Sequence, residues 1–290
     1  MKGIVLAGGL GTRLYPASLP ISKILLSVYD KPMIYYPIST LMMGGITEIL
    51  IITNPLDYDN FRKLLGDGSQ FGVKFEYIIQ HKAKGIAEAF ILGEDFIKND
   101  DVALILGDNI FHGHNFDKQL KKAILNNDGA TVFAYTVKNP SQFGVIDFDE
   151  NGRAVSIEEK PKNPKSDYAV TGLYLYDNKV VEYAKSLKPS ARGELEITDL
   201  NKIYLNKNKL NVEILGRGFT WLDTGTHDAV LQASNFIQSM EINKGDKIAC
   251  LEEIALVNGL IKPQAVLKNI ENYKNNDYYD YIRKVISKMK

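Results

Sequence analysis

A single cysteine, Cys250, stands among 290 residues. That excludes an intramolecular disulfide and any zinc site built on several thiolates. Histidine is scarce too, at four (His81, His112, His114, His227). Only His112-x-His114 has a spacing that would suit a metal on a strand, and its position after Asp108 predicts a loop instead. Neither sign of charge is in excess, with 35 acidic and 35 basic residues. A neutral chain offers no long-range field to nucleic acid or to an anionic membrane, so a phosphate site has to be a local cluster of cations. No apolar run approaches membrane-spanning length. The first apolar stretch is too short for a signal peptide and lacks a cleavage site. Repeats, low-complexity stretches and linkers are absent as well. These absences predict a cytoplasmic protein with no nucleic-acid or membrane partner.

What is present begins at residue 2. Lys2-Gly3-Ile4-Val5-Leu6-Ala7-Gly8-Gly9-Leu10-Gly11-Thr12-Arg13-Leu14, with Lys23 soon after, reads as an apolar strand running into a glycine-rich turn that ends in a cation. Glycines let backbone N–H groups approach a ligand closely, and successive N–H groups in such a turn form an anion cradle. A flexible surface turn with a solvated arginine is the competing reading. The P-loop pattern fails, because Arg13 or Leu14 falls where its second glycine belongs. The dinucleotide fingerprint fails as well, because Gly9-x-Gly11 leads to Leu14 rather than to a third glycine. A triphosphate at the carboxyl edge of a sheet is the remaining expectation.

The first half alternates strands and helices. Strands are predicted at Ile4–Ala7, Glu48–Thr53, Lys74–Ile79 and Asp101–Leu106, and helices at Met33–Met43, Tyr58–Leu65 and Ile86–Phe96. Short apolar runs bounded by Gly, Asn and Asp suit a parallel sheet covered on both faces, and the alternation predicts a doubly wound α/β core. Right-handed crossovers then put the loops after Ala7 and Leu106 on one ligand-binding edge. The middle is richer in strands (Thr131–Val137, Gly144–Phe148, Ala154–Glu158, Tyr168–Tyr176, Asn211–Leu215), with helices near Lys179–Lys185 and Ile197–Leu205. A long amphipathic helix at about Thr226–Ile242 and a mostly helical tail from Lys244 complete the chain.

Several groups have the right chemistry. Asp108 follows a buried strand, and Asp223 lies in Trp221-Leu222-Asp223-Thr224-Gly225. Two carboxylates suffice for magnesium when phosphates and waters complete its shell. Each aspartate alone is equally a cap or turn residue, and spacing does not join them. Glu159 and Lys160 suit sugar hydroxyls and a phosphate, or a solvated charged turn. Gly144 would let a sugar lie against backbone. Arg192 offers a planar fork for phosphate, or is an exposed loop arginine. Gln80 presents both a donor and an acceptor, as a pyrimidine edge requires, or serves as a cap.

With these residues in order, the chain resembles the sugar nucleotidyltransferases, and more narrowly the glucose-1-phosphate thymidylyltransferases. The likeness rests on Leu6–Leu14, Val28–Pro37, Leu106–Gly113, Glu158–Pro161, Tyr168–Tyr176, Ser190–Asp199 and Trp221–His227. It implies a Rossmann-like nucleotidyltransferase core of mixed, largely parallel sheet over residues 1–243. A sugar-binding subdomain would lie at about 131–225, followed by a helical C-terminal appendage over 244–290. It places the triphosphate on Gly8, Gly9, Gly11, Thr12, Arg13 and Lys23, and the base near Leu6, Gln80 and Gly85. Mg²⁺ would be held by Asp108 and Asp223. The sugar-phosphate site would use Asn109, Gly144, Glu159, Lys160, Val170, Arg192 and Trp221. Arg13, Lys23, Lys160 and Arg192 carry the catalytic charge in this reading. The implied reaction joins dTTP and α-D-glucose 1-phosphate into dTDP-glucose and pyrophosphate, the first step toward dTDP-rhamnose for cell-surface polysaccharide, in a homotetramer. Two other readings stay open. One is a sugar-1-phosphate nucleotidyltransferase that uses UTP or both nucleotides. The other is a non-catalytic regulatory subunit, against which Arg13, Lys23, Asp108 and Asp223 all stand.

Three departures from the family pattern carry expectations. Ile24 replaces a polar residue after Lys23, which predicts altered triphosphate affinity. His81-Lys82-Ala83-Lys84 replaces a proline- and Asp-bearing loop, which predicts a more basic, more mobile base loop and altered base selectivity. The segment Cys250–Val257 lacks the usual proline and has Val257 in place of an arginine. That predicts weakened feedback inhibition by dTDP-rhamnose, and strong inhibition at low concentration would refute it.

Overall fold

A computed structural model describes residues 1–289. Its strands are β1 (Lys2–Ala7), β2 (Ser27–Val28), β3 (Lys31–Pro32), β4 (Glu48–Thr53), β5 (Lys74–Ile79), β6 (Val102–Leu106), β7 (Asn109–His112), β8 (Ala130–Thr136), β9 (Gly144–Phe148), β10 (Ala154–Glu159), β11 (Tyr168–Tyr176), β12 (Leu210–Ile214) and β13 (Thr220–Asp223). Its helices are α1 (Tyr35–Met43), α2 (Tyr58–Leu65), α3 (Glu88–Leu92), α4 (Glu94–Ile97), α5 (Phe116–Leu125), α6 (Val180–Ser186), α7 (Ile197–Asn206), α8 (His227–Lys244), α9 (Leu251–Val257), α10 (Pro263–Asn269) and α11 (Asp277–Lys288).

Nine strands form one mixed sheet in the order β10-β9-β11-β6-β1-β4-β5, with β8 and then β12 added beside β11. The β6-β1-β4-β5 part is parallel, and β11 runs antiparallel to its neighbours. Side chains alternate across a strand, and here the alternation divides two cores. Val5, Ala7, Ile49, Ile51, Ala103 and Ile105 enter one. Ile4, Leu50, Ile52, Val102 and Leu104 enter the other. Each face is covered, which is why these strands read as unbroken apolar runs. Gly3 lets α1 approach β1, because a Cβ there would lie 2.8 Å from Leu41 Cδ1.

Strand β11 is the hinge of the architecture. β8 follows one edge of it; β9 pairs at Ala169–Val170 and β6 at Leu173–Tyr176 along the other. Between them, at Thr171 and Gly172, that edge has a gap. The chain leaving β6 turns through Gly107 and Asp108 into β7, which pairs antiparallel with β13. That small sheet was not expected. His112 therefore ends a strand rather than lying in a loop, and packs edge-on to Phe236 at 5.8 Å. Among the described residues no group of three or more His, Cys, Asp or Glu could hold a metal. The helix expected over 86–96 is two short ones, broken at Gly93, and α1 starts two residues later than expected. No helix among the described residues is long and apolar enough to cross a membrane. The last helices pack through Cys250, Leu256, Val266, Ile270, Ile282 and Ile286.

Candidate active site

Strands β1 and β6 end side by side, with Leu6 opposite Leu106. The glycine turn and Asp108 therefore share the carboxyl edge of the sheet. Gly11 takes a left-handed conformation (φ 63°) that starts the tight turn Thr12–Leu14. Leu14 is buried, while Thr12 and Arg13 are exposed. Gly9 has open space around it. Gly8 abuts Gln80, since a Cβ on Gly8 would lie 2.4 Å from Gln80 Oε1. A side chain at position 8 would displace that amide.

Gln80 is buried rather than solvent-facing. Its Nε2 donates to Glu88 Oε2 at 2.7 Å, and the Lys84 N–H donates to the same oxygen at 3.0 Å. Because a carboxylate only accepts, Glu88 fixes which way the Gln80 amide faces. The basic loop 81–84 is pinned at its end by Leu195 N–H to Lys84 O at 2.6 Å. Gly85 (φ 104°) rests on the Leu195 backbone, where a Cβ would lie 2.4 Å from its carbonyl oxygen. Ile24 points into the core and packs under Gly107, where a Cβ would meet its Cγ2 at 3.1 Å.

Lys23 Nζ pairs with Asp108 Oδ2. Burial opposes the charge on Asp108, but the Lys23 ammonium and the Asn109 amide more than offset it and hold its carboxyl below the usual range. The β7/β13 pairing sets Asp223 opposite Asn109, and Thr224 locks the register by donating through N (2.9 Å) and Oγ1 (2.7 Å) to the Asp108 carbonyl. Asp223 is pushed up to about 6, first by burial and then by the charge of Asp108. Gly225 leaves room for Arg13, because a Cβ there would lie 2.7 Å from Arg13 Nη2 and 3.2 Å from Asp223 Oδ1. Two carboxylates and two cations from three separate segments of the chain thus meet at one place. The pair is a suitable donor set for Mg²⁺, which takes one or two carboxylates and fills the rest with phosphate oxygens and water.

Beside it, a cavity of about 270 Å³ opens at the gap in β11. Asn109, Phe143, Gly144, Glu159, Lys160, Val170, Arg192 and Trp221 line it, together with Asp223. Glu159 accepts from Thr198 Oγ1 at 2.5 Å and lies 3.7 Å from Lys160 Nζ and 3.5 Å from Arg192 Nη2. Arg192 closes its fork on Glu196, at 2.7 and 3.2 Å. Lys160 takes a left-handed backbone (φ 43°), a local strain common at functional sites.

A chain with phosphate-type cations and paired carboxylates beside a polar cavity matches the family model described as nucleotidyl transferase over residues 2–240. The chain belongs to that family. Over 288 residues it is 57% identical to the glucose-1-phosphate thymidylyltransferase of Neisseria meningitidis serogroup A, covering 99% of this chain and 100% of the relative. To that of Mycobacterium tuberculosis it is 49% identical over 288 residues, with the same coverage. A Bacillus anthracis structure described as a glucose-1-phosphate thymidylyltransferase, in complex with sucrose, aligns with a TM-score of 0.76 at 46% identity, covering 81% of this chain and 94% of that one. A UDP-glucose pyrophosphorylase bound to UDP-glucose aligns with a TM-score of 0.72 at 24% identity, covering 82% and 98%, and supports the fold.

In this nucleotidyltransferase the residues expected at the site gather into two adjoining groups, one around Asp108 and one around Trp221. Asn109 and Trp221 are engaged with each other. Asn109 Oδ1 accepts from Trp221 Nε1 at 2.6 Å and from Gly172 N–H at 3.0 Å. Sequence reasoning missed Glu88 and Glu196, whose partners lie within eight residues but are fixed by the fold, and Thr198, whose partner Glu159 is distant in the chain. Gly172 carried a signal that went unused: a glycine inside a strand marks a bulge or a close approach.

Proposed function

We propose that this nucleotidyltransferase joins dTTP to α-D-glucose 1-phosphate, releasing pyrophosphate. A phosphate oxygen of the sugar phosphate attacks the α-phosphorus in line, and pyrophosphate leaves on the opposite side. The sugar phosphate is already an anionic nucleophile, so no general base is required. The obstacle is repulsion between two anions, and the protein answers it with positioning and positive charge.

In this reading Gly8, Gly9, Gly11 and Thr12 offer backbone N–H groups to the triphosphate, and Arg13 takes up charge developing on pyrophosphate. Lys23 exchanges Asp108 for a phosphate oxygen. The base lies by Leu6 and Gly85, with its edge on Gln80. Lys160 and Arg192 hold the sugar phosphate, while Glu159 and Gly144 meet sugar hydroxyls. Asp108 and Asp223 would hold Mg²⁺, which when bound supplies positive charge shared with the triphosphate. The same proposal includes a homotetramer acting in the cytoplasm, with light scattering as the test of assembly.

The observation that carries this reading is the meeting of Arg13, Lys23, Asp108 and Asp223 next to a polar cavity of about 270 Å³. The test is pyrophosphate release with glucose 1-phosphate and Mg²⁺, run with dTTP and UTP in parallel. Release with dTTP preferred is expected. One methyl in an apolar pocket discriminates by only about 1–3 kcal/mol, so equal release with UTP would keep the chemistry and overturn the nucleotide assignment. Release with neither would overturn the reaction.

A further inference from the structure

Asn109 is 2% exposed and spans the boundary between the two halves of the site. Its Nδ2 donates to Asp108 Oδ1 at 3.0 Å. Its Oδ1 accepts from Trp221 Nε1 and from the Gly172 N–H, at 2.6 and 3.0 Å. An indole N–H and a backbone N–H only donate, and a carboxylate only accepts, so the amide has one orientation available. Both lone pairs of Oδ1 are taken, leaving at most one N–H for a sugar. Gly172 is part of the same arrangement, since a Cβ there would lie 2.6 Å from Asn109 Oδ1. The N–H that β11 leaves unpaired at its gap is thereby satisfied by a side chain from the first residue of β7.

We propose that Asn109 is a positioning residue joining the Asp108 carboxylate to the Trp221 wall of the sugar cavity, so that occupancy of the metal and nucleotide side is felt on the sugar side before sugar arrives. The inference rests on the nucleotide reading of the Asp108 side. It goes beyond a sugar-contact role for Asn109 because its hydrogen bonds run to Asp108, Trp221 and Gly172 rather than into the cavity.

Trp221 is the only tryptophan of the chain, so indole emission comes from this ring alone. The experiment measures binding of dTTP with Mg²⁺, without sugar, by calorimetry and by Trp221 emission. The wild-type protein is expected to bind with a change in emission. Asn109→Ala is expected to bind roughly 10–100-fold more weakly, the usual loss when a ligand's supporting partner is removed, and to show no emission change at saturation. Trp221→Phe keeps one aromatic ring near Phe143 and Tyr135 and removes the indole N–H together with the pyrrole part of the side chain. It is expected to weaken Mg²⁺-dependent dTTP binding about threefold or more, as a supporting contact one bond further out. A residue that only walls the sugar cavity would raise KM for glucose 1-phosphate and leave dTTP binding unmoved. That result in Trp221→Phe, or a full emission response in Asn109→Ala, would overturn the bridge while leaving the nucleotide reading intact. Failure of the wild-type protein to bind dTTP with Mg²⁺ would overturn both.

Discussion

Two charge clusters lie at the two ends of α8, and they are built on opposite rules. At its last turn, Lys31 Nζ pairs with Asp30 and with Glu241 Oε1 at 2.9 Å, and Lys247 Nζ pairs with Asp30 and with Glu241 Oε2 at 3.2 Å. Ile248 N–H also donates to Glu241 Oε1, at 2.9 Å. Every charge there is matched, and Asp30 is held below the usual carboxylate range by its two lysines, against the opposing effect of burial. Ahead of α8, Asp223 lies in a cluster of the same nominal charge. Yet only the Lys23–Asp108 pair is closed, and Asp223 is pushed up to about 6. A cluster that holds a fold together satisfies its members from within. The other cluster leaves one carboxylate underpaired, which in the proposed reading is completed by a cation bound with the triphosphate.

Breaking the closed cluster should have the largest effect. Glu241→Ala leaves two lysines on one aspartate and frees a backbone N–H, and should destabilise the protein by about 3–5 kcal/mol in denaturant unfolding. A loss below about 1 kcal/mol, the scale of exposed pairs, would remove the distinction. Next is the cation at the open cluster. Arg13→Ala should lower kcat on the order of 10²–10³, by analogy with a lost oxyanion donor, with unfolding unchanged. Near-normal turnover would take Arg13 out of the mechanism.

Asp223→Asn sharpens the contrast, since here losing a carboxylate should stabilise. A carboxyl at about 6 in the fold against 3.8 when unfolded keeps its proton better folded than unfolded. Stability of the metal-free protein therefore falls as pH rises through that window. The amide should remove the dependence and add on the order of 1–2 kcal/mol at neutral pH in the presence of chelator. Unfolding midpoints from pH 4 to 8 check both the sign and the window. A destabilised Asp223→Asn would make this carboxylate structural like Glu241.

The parallel strands were readable because periodicity is local: Glu48–Thr53 and Lys74–Ile79 match their predicted bounds. The glycine turn was readable for the same reason. Strands β7 and β13 were not, being four residues each and held only by one another. Gln80 was singled out, but the buried Glu88 that orients it was not, because an acid near a helix start reads as solvated until the cavity around it is known. Asn109 was assigned to the sugar, yet its carbonyl oxygen is occupied by Trp221 and Gly172.

By itself the amino-acid order determined the apolar strands, the left-handed glycine turn and the inventory of cations and carboxylates, because each depends on neighbours within a few residues. Tertiary structure alone decided that Asp108 meets Asp223, that one balanced cluster braces α8 while another stays open, and that a single amide lies between Asp108 and Trp221. Those outcomes depend on strand pairing and burial between distant segments, which set both the distance between charges and how far water screens them.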